Sequence, residues 1–139
     1  MRLAKRLIFL IAAAIICLSL SSLNKKVCFN GATNNVFYCG NTSKTCKEVK
    51  LETPLCFALL LGENVCGESA EYEELNVNEF LDKVNGKIVF CERLLDSVNY
   101  YCKADLPYSV NLYGEEINLH ICVKQSGIKV GTPIIFGGY

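Results

Sequence analysis

Eight cysteines that follow a short apolar leader constrain this chain more than any other feature. The leader has three basic residues at its start, an apolar stretch over residues 7–20, and the small residues Ser21 and Ser22 at its end. This composition is typical of a secretory signal, and a membrane span needs about 20 apolar residues. We therefore predict a signal peptide over residues 1–22 that is cleaved and carries Cys17 away. The alternative is a leader that is kept as an anchor.

Cleavage of the leader changes the charge balance. The whole chain has 14 basic and 14 acidic residues, and the leader removes three basic ones, so residues 23–139 keep 11 basic against 14 acidic residues and a formal net charge of −3. Nucleic-acid binding normally needs a concentrated positive face, whereas the densest basic cluster here is Lys25-Lys26. We expect a mildly acidic, secreted protein that does not bind nucleic acid and has no stable membrane span after cleavage.

The cysteines of the mature chain predict a disulfide framework. An even number of cysteines in an oxidising compartment favours complete pairing, here as four disulfides, although spacing alone does not choose the connectivity. Zinc and redox sites usually contain Cys-x-x-Cys, and six residues separate even Cys39 from Cys46. We expect structural disulfides, no metal and no cofactor. The cysteines are Cys28, Cys39, Cys46, Cys56, Cys66, Cys91, Cys102 and Cys122.

Turn residues divide the mature chain into short apolar segments, which favours a single, mainly β (or α+β) antiparallel domain over residues 23–139. Before residue 62, the predicted elements are extended pieces at Val27–Phe29 and Val36–Cys39, and a buried strand or short helix at Thr53–Leu61. After Gly86, the pattern predicts a meander. Its five strands are 87–93, 98–103, 108–113, 117–123 and 128–136.

One short helix is predicted near residues 77–85, after an acidic stretch whose first part, 62–74, is predicted to be a loop. Val77, Phe80, Leu81 and Val84 recur at helical spacing and fall on one face. Asn76 is a suitable N-cap, with Glu79 three residues later as in a capping box. Asn85-Gly86 is expected to end the helix, because glycine tolerates a left-handed backbone.

The segment 117–123 alternates so that Ile117, Leu119, Ile121 and Val123 share one face. The other face would carry Asn118, His120, Cys122 and Lys124. This alternation predicts a sheet with one face in solvent, and it places Cys122 on that polar face.

Residues 96–102, Asp-Ser-Val-Asn-Tyr-Tyr-Cys, resemble the Asp-x-x-x-Tyr-x-Cys segment of immunoglobulin-like domains. The resemblance implies a two-sheet sandwich in which Tyr100 is the tyrosine corner and Cys102 bridges the sheets, with Cys39 or Cys28 as its partner. The chain contains no tryptophan, although the family buries one in its core. An immunoglobulin-like sandwich is therefore kept as an alternative fold.

Catalytic chemistry has few candidates in this sequence. His120 is the only histidine, and neither a Gly-x-Ser-x-Gly elbow, an HExxH motif nor a phosphate-binding loop is present. The acidic residues Glu71, Glu73 and Glu74 lack the pattern of a calcium loop and are expected to be solvated. No catalytic residue is assigned, although an enzyme is left open.

The remaining signals indicate recognition outside the cell. Asn41 begins the glycosylation acceptor Asn-Thr-Ser. Tyrosine is favoured in contact surfaces, so Tyr100, Tyr101, Tyr108 and Tyr113 are candidate partner-binding residues. We expect a secreted, non-enzymatic protein that recognises an extracellular protein or receptor. The alternatives are a carrier of a lipid or other small apolar ligand, and a small secreted hydrolase.

Overall fold

The structure is a computed structural model that describes residues 2–24, 27–41, 45–50 and 63–136. Helix α1 (Arg2–Asn24) forms the leader, and the short helix α2 (Val77–Lys83) belongs to the body. The described ranges contain no helix that combines the length and the apolarity needed to cross a bilayer. The described residues form nine strands, all paired antiparallel: β1 (Asn34–Cys39), β2 (Lys47–Lys50), β3 (Val65–Tyr72), β4 (Lys87–Arg93), β5 (Ser97–Lys103), β6 (Val110–Leu112), β7 (Glu115–Ile117), β8 (Leu119–Lys124) and β9 (Gly127–Thr132).

Seven of these strands form one sheet in the order β2-β1-β3-β9-β8-β5-β4, and β6 and β7 form a separate hairpin. The mainly β, antiparallel prediction is confirmed. The immunoglobulin-like alternative is wrong for the described residues, because seven strands lie in one sheet instead of two packed sheets. Tyr100 and Cys102 lie on β5 inside this sheet, and Cys102 is a thiol opposite Ile88 and Leu119.

Strand β3 corrects the prediction of a loop over residues 62–74. It lies between β1 and β9 and brings Glu68 into the interior, where the side chain is fully buried. The carboxylate accepts hydrogen bonds from the amides of Cys28 (2.7 Å) and Phe29 (3.2 Å) and from Asn35 Nδ2 (3.0 Å). These bonds offset the cost of burying a carboxylate, although burial still raises the pKa of Glu68. They also explain why Val27–Phe29 is not a strand, since two of its amides bind this side chain.

Helix α2 confirms the helix prediction and covers one side of the sheet, which we call the first face. Phe80 and Leu81 are buried in a core with Phe29, Ala70, Cys102, Ala104, Leu119, Ile121 and Val130. The Asn76 side chain caps the helix by accepting from the amides of Asn78 (3.1 Å) and Glu79 (3.3 Å). Local signals were sufficient here because the cap and the apolar stripe lie within ten residues of each other.

At the end of α2, the residue with the left-handed backbone is Asn85 and not the predicted glycine. Asn85 has a positive φ of 49°, and the amide of Gly86 donates to the carbonyl of Leu81 at 2.7 Å. This is the Schellman arrangement with asparagine at the left-handed position. A Cβ at position 86 would lie 2.6 Å from Leu81 Cδ2, so the Leu81 side chain would have to move to accommodate any residue other than glycine there.

Three predicted strands have different bounds in the structure. The segment 108–113 is a strand only over 110–112, and 128–136 ends as a strand at Thr132. The segment 117–123 is interrupted at Asn118, whose side chain accepts from the amide of Ala104 (2.6 Å) and donates to its carbonyl. The Asn118 side chain thus bonds the backbone of Ala104 as a neighbouring strand would, and the interruption at Asn118 separates β7 from β8. The predicted element Thr53–Leu61 lies outside the described residues.

The opposite side of the sheet, the second face, is not open to solvent as predicted. His120 and Cys122 are each only 1% exposed. The residues that follow β9, 133–136, fold back over this face, where Tyr38 Oη donates to the carbonyl of Phe136 at 3.1 Å. A Cβ at Gly131 would lie 2.7 Å from the amide nitrogen of Ile135, and one at Gly67 would lie 3.1 Å from Phe136 Cε2 and 3.3 Å from Pro133 Cδ. Glycines therefore let this C-terminal cover lie directly on the strands.

The disulfide-rich part of the prediction is not supported, since no disulfide joins any two described cysteines. The strand register explains the absence of a disulfide for three of these cysteines. Cys102 faces the apolar core, Cys122 lies on the second face opposite Asn99 and Lys129, and Cys91 lies opposite Tyr100. None of the three has a cysteine as its cross-strand neighbour. Cys56 lies outside the described residues.

Candidate functional site: an aromatic groove on the second face

Three neighbouring strands align aromatic rings in one row of the second face. The register places Phe90 of β4 opposite Tyr101 of β5, and Tyr101 opposite His120 of β8. The rings of Phe90 and Tyr101 have centroids 4.6 Å apart with 20° between their planes, and those of Tyr101 and His120 are 4.5 Å apart at 15°. Side chains directly across antiparallel strands contribute to sheet stability, and this row makes them a continuous stack.

The hydrogen bonds of His120 fix the ring as a neutral tautomer. The amide of Ile135 donates to Nδ1 at 3.3 Å, so Nδ1 is an acceptor and the proton resides on Nε2, 3.0 Å from Asn99 Oδ1. Burial lowers the pKa of His120 to about 4. The imidazole is therefore uncharged at neutral pH and acts as a third aromatic plane. Asn99 Nδ2 is buried and has no hydrogen-bond partner among the described atoms.

Two segments rise beside the stack and leave a groove of about 400 Å³ between them. The β6–β7 hairpin contributes Leu112 and Tyr113, and the C-terminal cover contributes Ile134 and Ile135. Cys91 and Glu92 of β4 complete the lining, so Glu92 is the one carboxylate in a mostly apolar and aromatic site. Such a composition, with few charges, is typical of surfaces that bind other molecules.

Tyr113 stands at the tip of the hairpin in an unfavourable backbone conformation. It and Gly114 form the two-residue turn between Leu112 and Glu115, with positive φ values of 55° and 86°. Such turns normally place asparagine, aspartate or glycine at the first position. A bulky residue there stores strain, yet the Tyr113 side chain is 95% exposed and meets Phe90 edge-on with centroids 6.0 Å apart. The turn thus holds an aromatic ring in solvent above the stack.

The structure brings together two of the four tyrosines that the sequence suggested as binding residues. Tyr101 and Tyr113 line the groove. Tyr100 points to the first face and packs against the core, and burial raises the pKa of Tyr108 to about 12 at a separate cavity. Sequence reasoning missed Phe90, although it lies in a correctly predicted strand. Its position opposite Tyr101 depends on a bulge between Ile88 and Phe90 that no residue signal revealed.

Other parts of the described chain offer weaker candidate sites than the groove. A cavity of about 750 Å³ has a mixed lining, in which the charged residues Glu63, Lys83 and Asp105 interrupt the apolar wall that a lipid requires. His120 is enclosed and held by Asn99 and Ile135, away from the acids of β3. Among the described histidine, cysteine and acidic side chains, none form a group of three or more suited to a metal ion.

Comparisons of the chain with protein-family profiles, with curated proteins and with solved structures found no match.

Proposed function

We propose that this protein is a secreted binding protein that recognises an extracellular protein through the aromatic groove. The observation that carries the proposal is the strained and exposed Tyr113 above the stack of Phe90, Tyr101 and His120. An exposed aromatic ring costs free energy in the isolated protein, and a backbone strain of about 1 kcal/mol or more adds to this cost. Burial of that ring against a partner would recover the loss.

The chemistry of the groove favours a polypeptide partner over a catalytic substrate. Aromatic side chains supply large contact area with little loss of rotamer freedom. The neutral His120 adds a flat surface without the cost of burying a charge, and Glu92 at the rim offers one acceptor for a cationic or amide group. We expect Phe90 and Tyr113 to anchor the partner, because hot spots are concentrated in aromatic residues.

We also propose that the leader directs export and that Asn41 carries a glycan. Apolar side chains of α1, such as Ile8 and Phe9, are exposed, as expected for a segment that is recognised and removed before the body acts. Asn41 is exposed and accepts from Asn64 Nδ2 at 3.1 Å. A glycan there would lie at the β1–β2 end of the sheet, far in strand order from β4.

In an oxidising compartment we expect Cys39 and Cys66 to form a disulfide. Cys39 lies opposite Val65 across a bulge that places Cys66 beside it. Burial, the charge of Glu63 and the nearby Cys66 all raise the pKa of Cys39. Both thiols would transfer two electrons and two protons to an oxidised disulfide donor of the secretory pathway. Mass spectrometry of the unreduced, digested protein tests this link, and recovery of both residues as free thiols would contradict it.

Photocrosslinking tests the proposed function directly. Full-length protein is expressed through a secretory pathway with benzoylphenylalanine at position 113, or at position 48 on the opposite edge strand as a matched control, and is exposed to native extracellular fluid. We expect a protein crosslinked from position 113 and not from position 48. Equal labelling from both positions, or none from position 113, would reject the groove.

The anchoring role is tested with the captured partner. The substitution Phe90→Ala should weaken binding about 30-fold, because loss of an aromatic hot spot costs about 2 kcal/mol. Leu95→Ala, which removes an exposed apolar side chain outside the groove, should leave the dissociation constant unchanged. Circular dichroism of both variants checks that the fold is intact.

A further inference from the structure

The exposed large apolar side chains of the described body gather at one edge of the sheet. Apart from helix α1, they are Ile88, Val89, Leu94, Leu95 and Tyr113, and four of these lie on edge strand β4 or the turn after it. The opposite edge is different: β2 exposes Lys47, Glu48 and Lys50 and buries Val49. Charged side chains protect an edge from pairing, and β4 has this protection only at its ends.

The outer side of β4 also presents backbone groups that can form hydrogen bonds. The amide of Leu94 donates to the carbonyl of Ser97 at 2.9 Å, which fixes the phase of the β4–β5 ladder. Since antiparallel pairs alternate, Glu92 bonds toward β5, whereas Cys91 and Arg93 direct their N–H and C=O groups outward. An unpaired strand of seven residues without proline is a template for another strand.

The side-chain pattern of β4 selects the strand that fits. A bulge between Ile88 and Phe90 shifts the alternation, so that Lys87 and Glu92 share the second face and Ile88 and Cys91 share the first. Two copies of β4 can therefore pair antiparallel with like faces together. Lys87 then lies opposite Glu92 of the partner subunit, and Ile88 lies opposite the partner's Cys91. The same charge pair recurs at the other end by two-fold symmetry.

We propose that two copies of this chain form a homodimer by antiparallel pairing of their β4 strands. The two sheets become one, and the apolar side chains at the edge are covered by their counterparts. Because the two-fold axis is perpendicular to the sheet, both aromatic grooves lie on the same side and adjoin near Phe90. The dimer does not depend on the groove having the proposed function.

Charge reversal at the two ends of β4 tests this pairing. Full-length protein is expressed through a secretory pathway, and the recovered protein is analysed by sedimentation equilibrium at concentrations up to about 1 mM. We expect the native protein to dimerise. Lys87→Glu or Glu92→Lys alone places like charges together at both ends, and each should raise the dissociation constant about tenfold. The double variant restores opposite charges and should return the constant to within about threefold of the native value.

The matched control reverses charges on the other edge. Lys47→Glu, Glu48→Lys and their combination should leave the dissociation constant unchanged, because β2 takes no part in the pairing. A monomer throughout the concentration range would overturn the proposal. So would a dimer that is insensitive to both single reversals at Lys87 and Glu92, or one in which the double variant fails to recover. Dimerisation with failed groove crosslinking would leave this inference intact and reject only the binding function.

Discussion

His120 illustrates how burial determines what a residue can do. A single histidine is a natural candidate for a titrating or catalytic group, yet burial lowers the pKa of His120 to about 4. Both ring nitrogens have partners, Ile135 and Asn99, and one ring face stacks on Tyr101. The side chain therefore serves as an uncharged part of the second-face core. Its sequence position fixed neither the tautomer nor the burial, because both depend on the C-terminal cover.

Stability should fall in acid because of this residue. The pKa of His120 is about 4 when folded and near 6.5 when unfolded, so the unfolded chain binds the proton more readily between these values. Its contribution is complete above about pH 6.5 and is lost as the pH falls toward 4, at a cost of about 3 kcal/mol. Urea unfolding of the native protein and of His120→Gln at both ends of this range measures the difference.

His120→Gln keeps a donor for Asn99 and an acceptor for Ile135, so most of the acid-dependent loss should disappear in this variant. The same loss in both proteins would contradict the assignment. Glu68 acts in the opposite direction: burial raises its pKa, so its contribution is complete below its unfolded pKa and is lost as the pH rises through the folded value.

Tyr113 provides a second test at the level of one residue. Asparagine tolerates a positive φ better than tyrosine, so Tyr113→Asn should raise the free energy of unfolding by about 0.5–1 kcal/mol. The same substitution should weaken partner binding, because the exposed ring is removed. Tyr113→Phe, which keeps both the ring and the strain, should unfold like the native protein. Chemical denaturation checks the sign, and a loss of stability in Tyr113→Asn would refute the strain argument.

Elements were predictable from the sequence where their signals are local. Helix α2 follows from Asn76, its apolar stripe and the Asn85-Gly86 stop, all within a dozen residues. Strand β3 was predicted as a loop because it is rich in glutamate. The buried Glu68 is tolerated only because the amides of Cys28 and Phe29, about 40 residues earlier in the chain, reach its carboxylate. Such distant partners leave no local pattern.

The groove was predictable only in part for the same reason. The strand propensity of tyrosine placed Tyr101 on the correct strand, whereas Tyr113 lies in the turn after β6 and not in the predicted strand 108–113. Bringing the two residues together requires the pairing register. That register contains a bulge at Val89 and a hairpin that folds back over β4 and β5. No glycine or proline marks the bulge in the sequence, and Gly114 marks the hairpin turn without indicating where the hairpin packs.

The cap of α2 can be tested as an element. Asn76→Ala removes the acceptor for the amides of Asn78 and Glu79 and should lower the free energy of unfolding by about 1 kcal/mol. Asn78→Ala, two residues away and exposed, should change it by less than about 0.5 kcal/mol. Urea denaturation compares the two, and equal losses would show that the cap has no special role.

At the scale of the whole molecule, the sheet is stabilised on both faces by different means. The first face packs on α2 and the segment around Phe29, and the second face is closed by residues 133–136.

The close approach at Gly131 makes this C-terminal cover sensitive to a single methyl group. Gly131→Ala should lower the free energy of unfolding by about 2 kcal/mol, because backbone atoms of the cover must move.

A matched control shows whether the loss of stability in Gly131→Ala comes from crowding against the C-terminal cover. Ser126→Ala, an exposed change in the turn before β9, should be close to neutral. In Gly131→Ala, the pKa of His120 measured by NMR should rise toward its ordinary value, since a displaced cover admits water. A destabilised variant with an unchanged His120 pKa would mean that the strain is absorbed elsewhere.

The place of β9 in the strand order has a consequence for biosynthesis. Among the described strands, β9 alone joins the β2-β1-β3 group to the β8-β5-β4 group, and the ribosome makes it after both. The sheet of the described residues therefore cannot be completed before β9 has emerged, and until then neither group has its neighbour. Each half can assemble by itself in the meantime, and the entry of β9 between them is the step that makes the two halves one sheet.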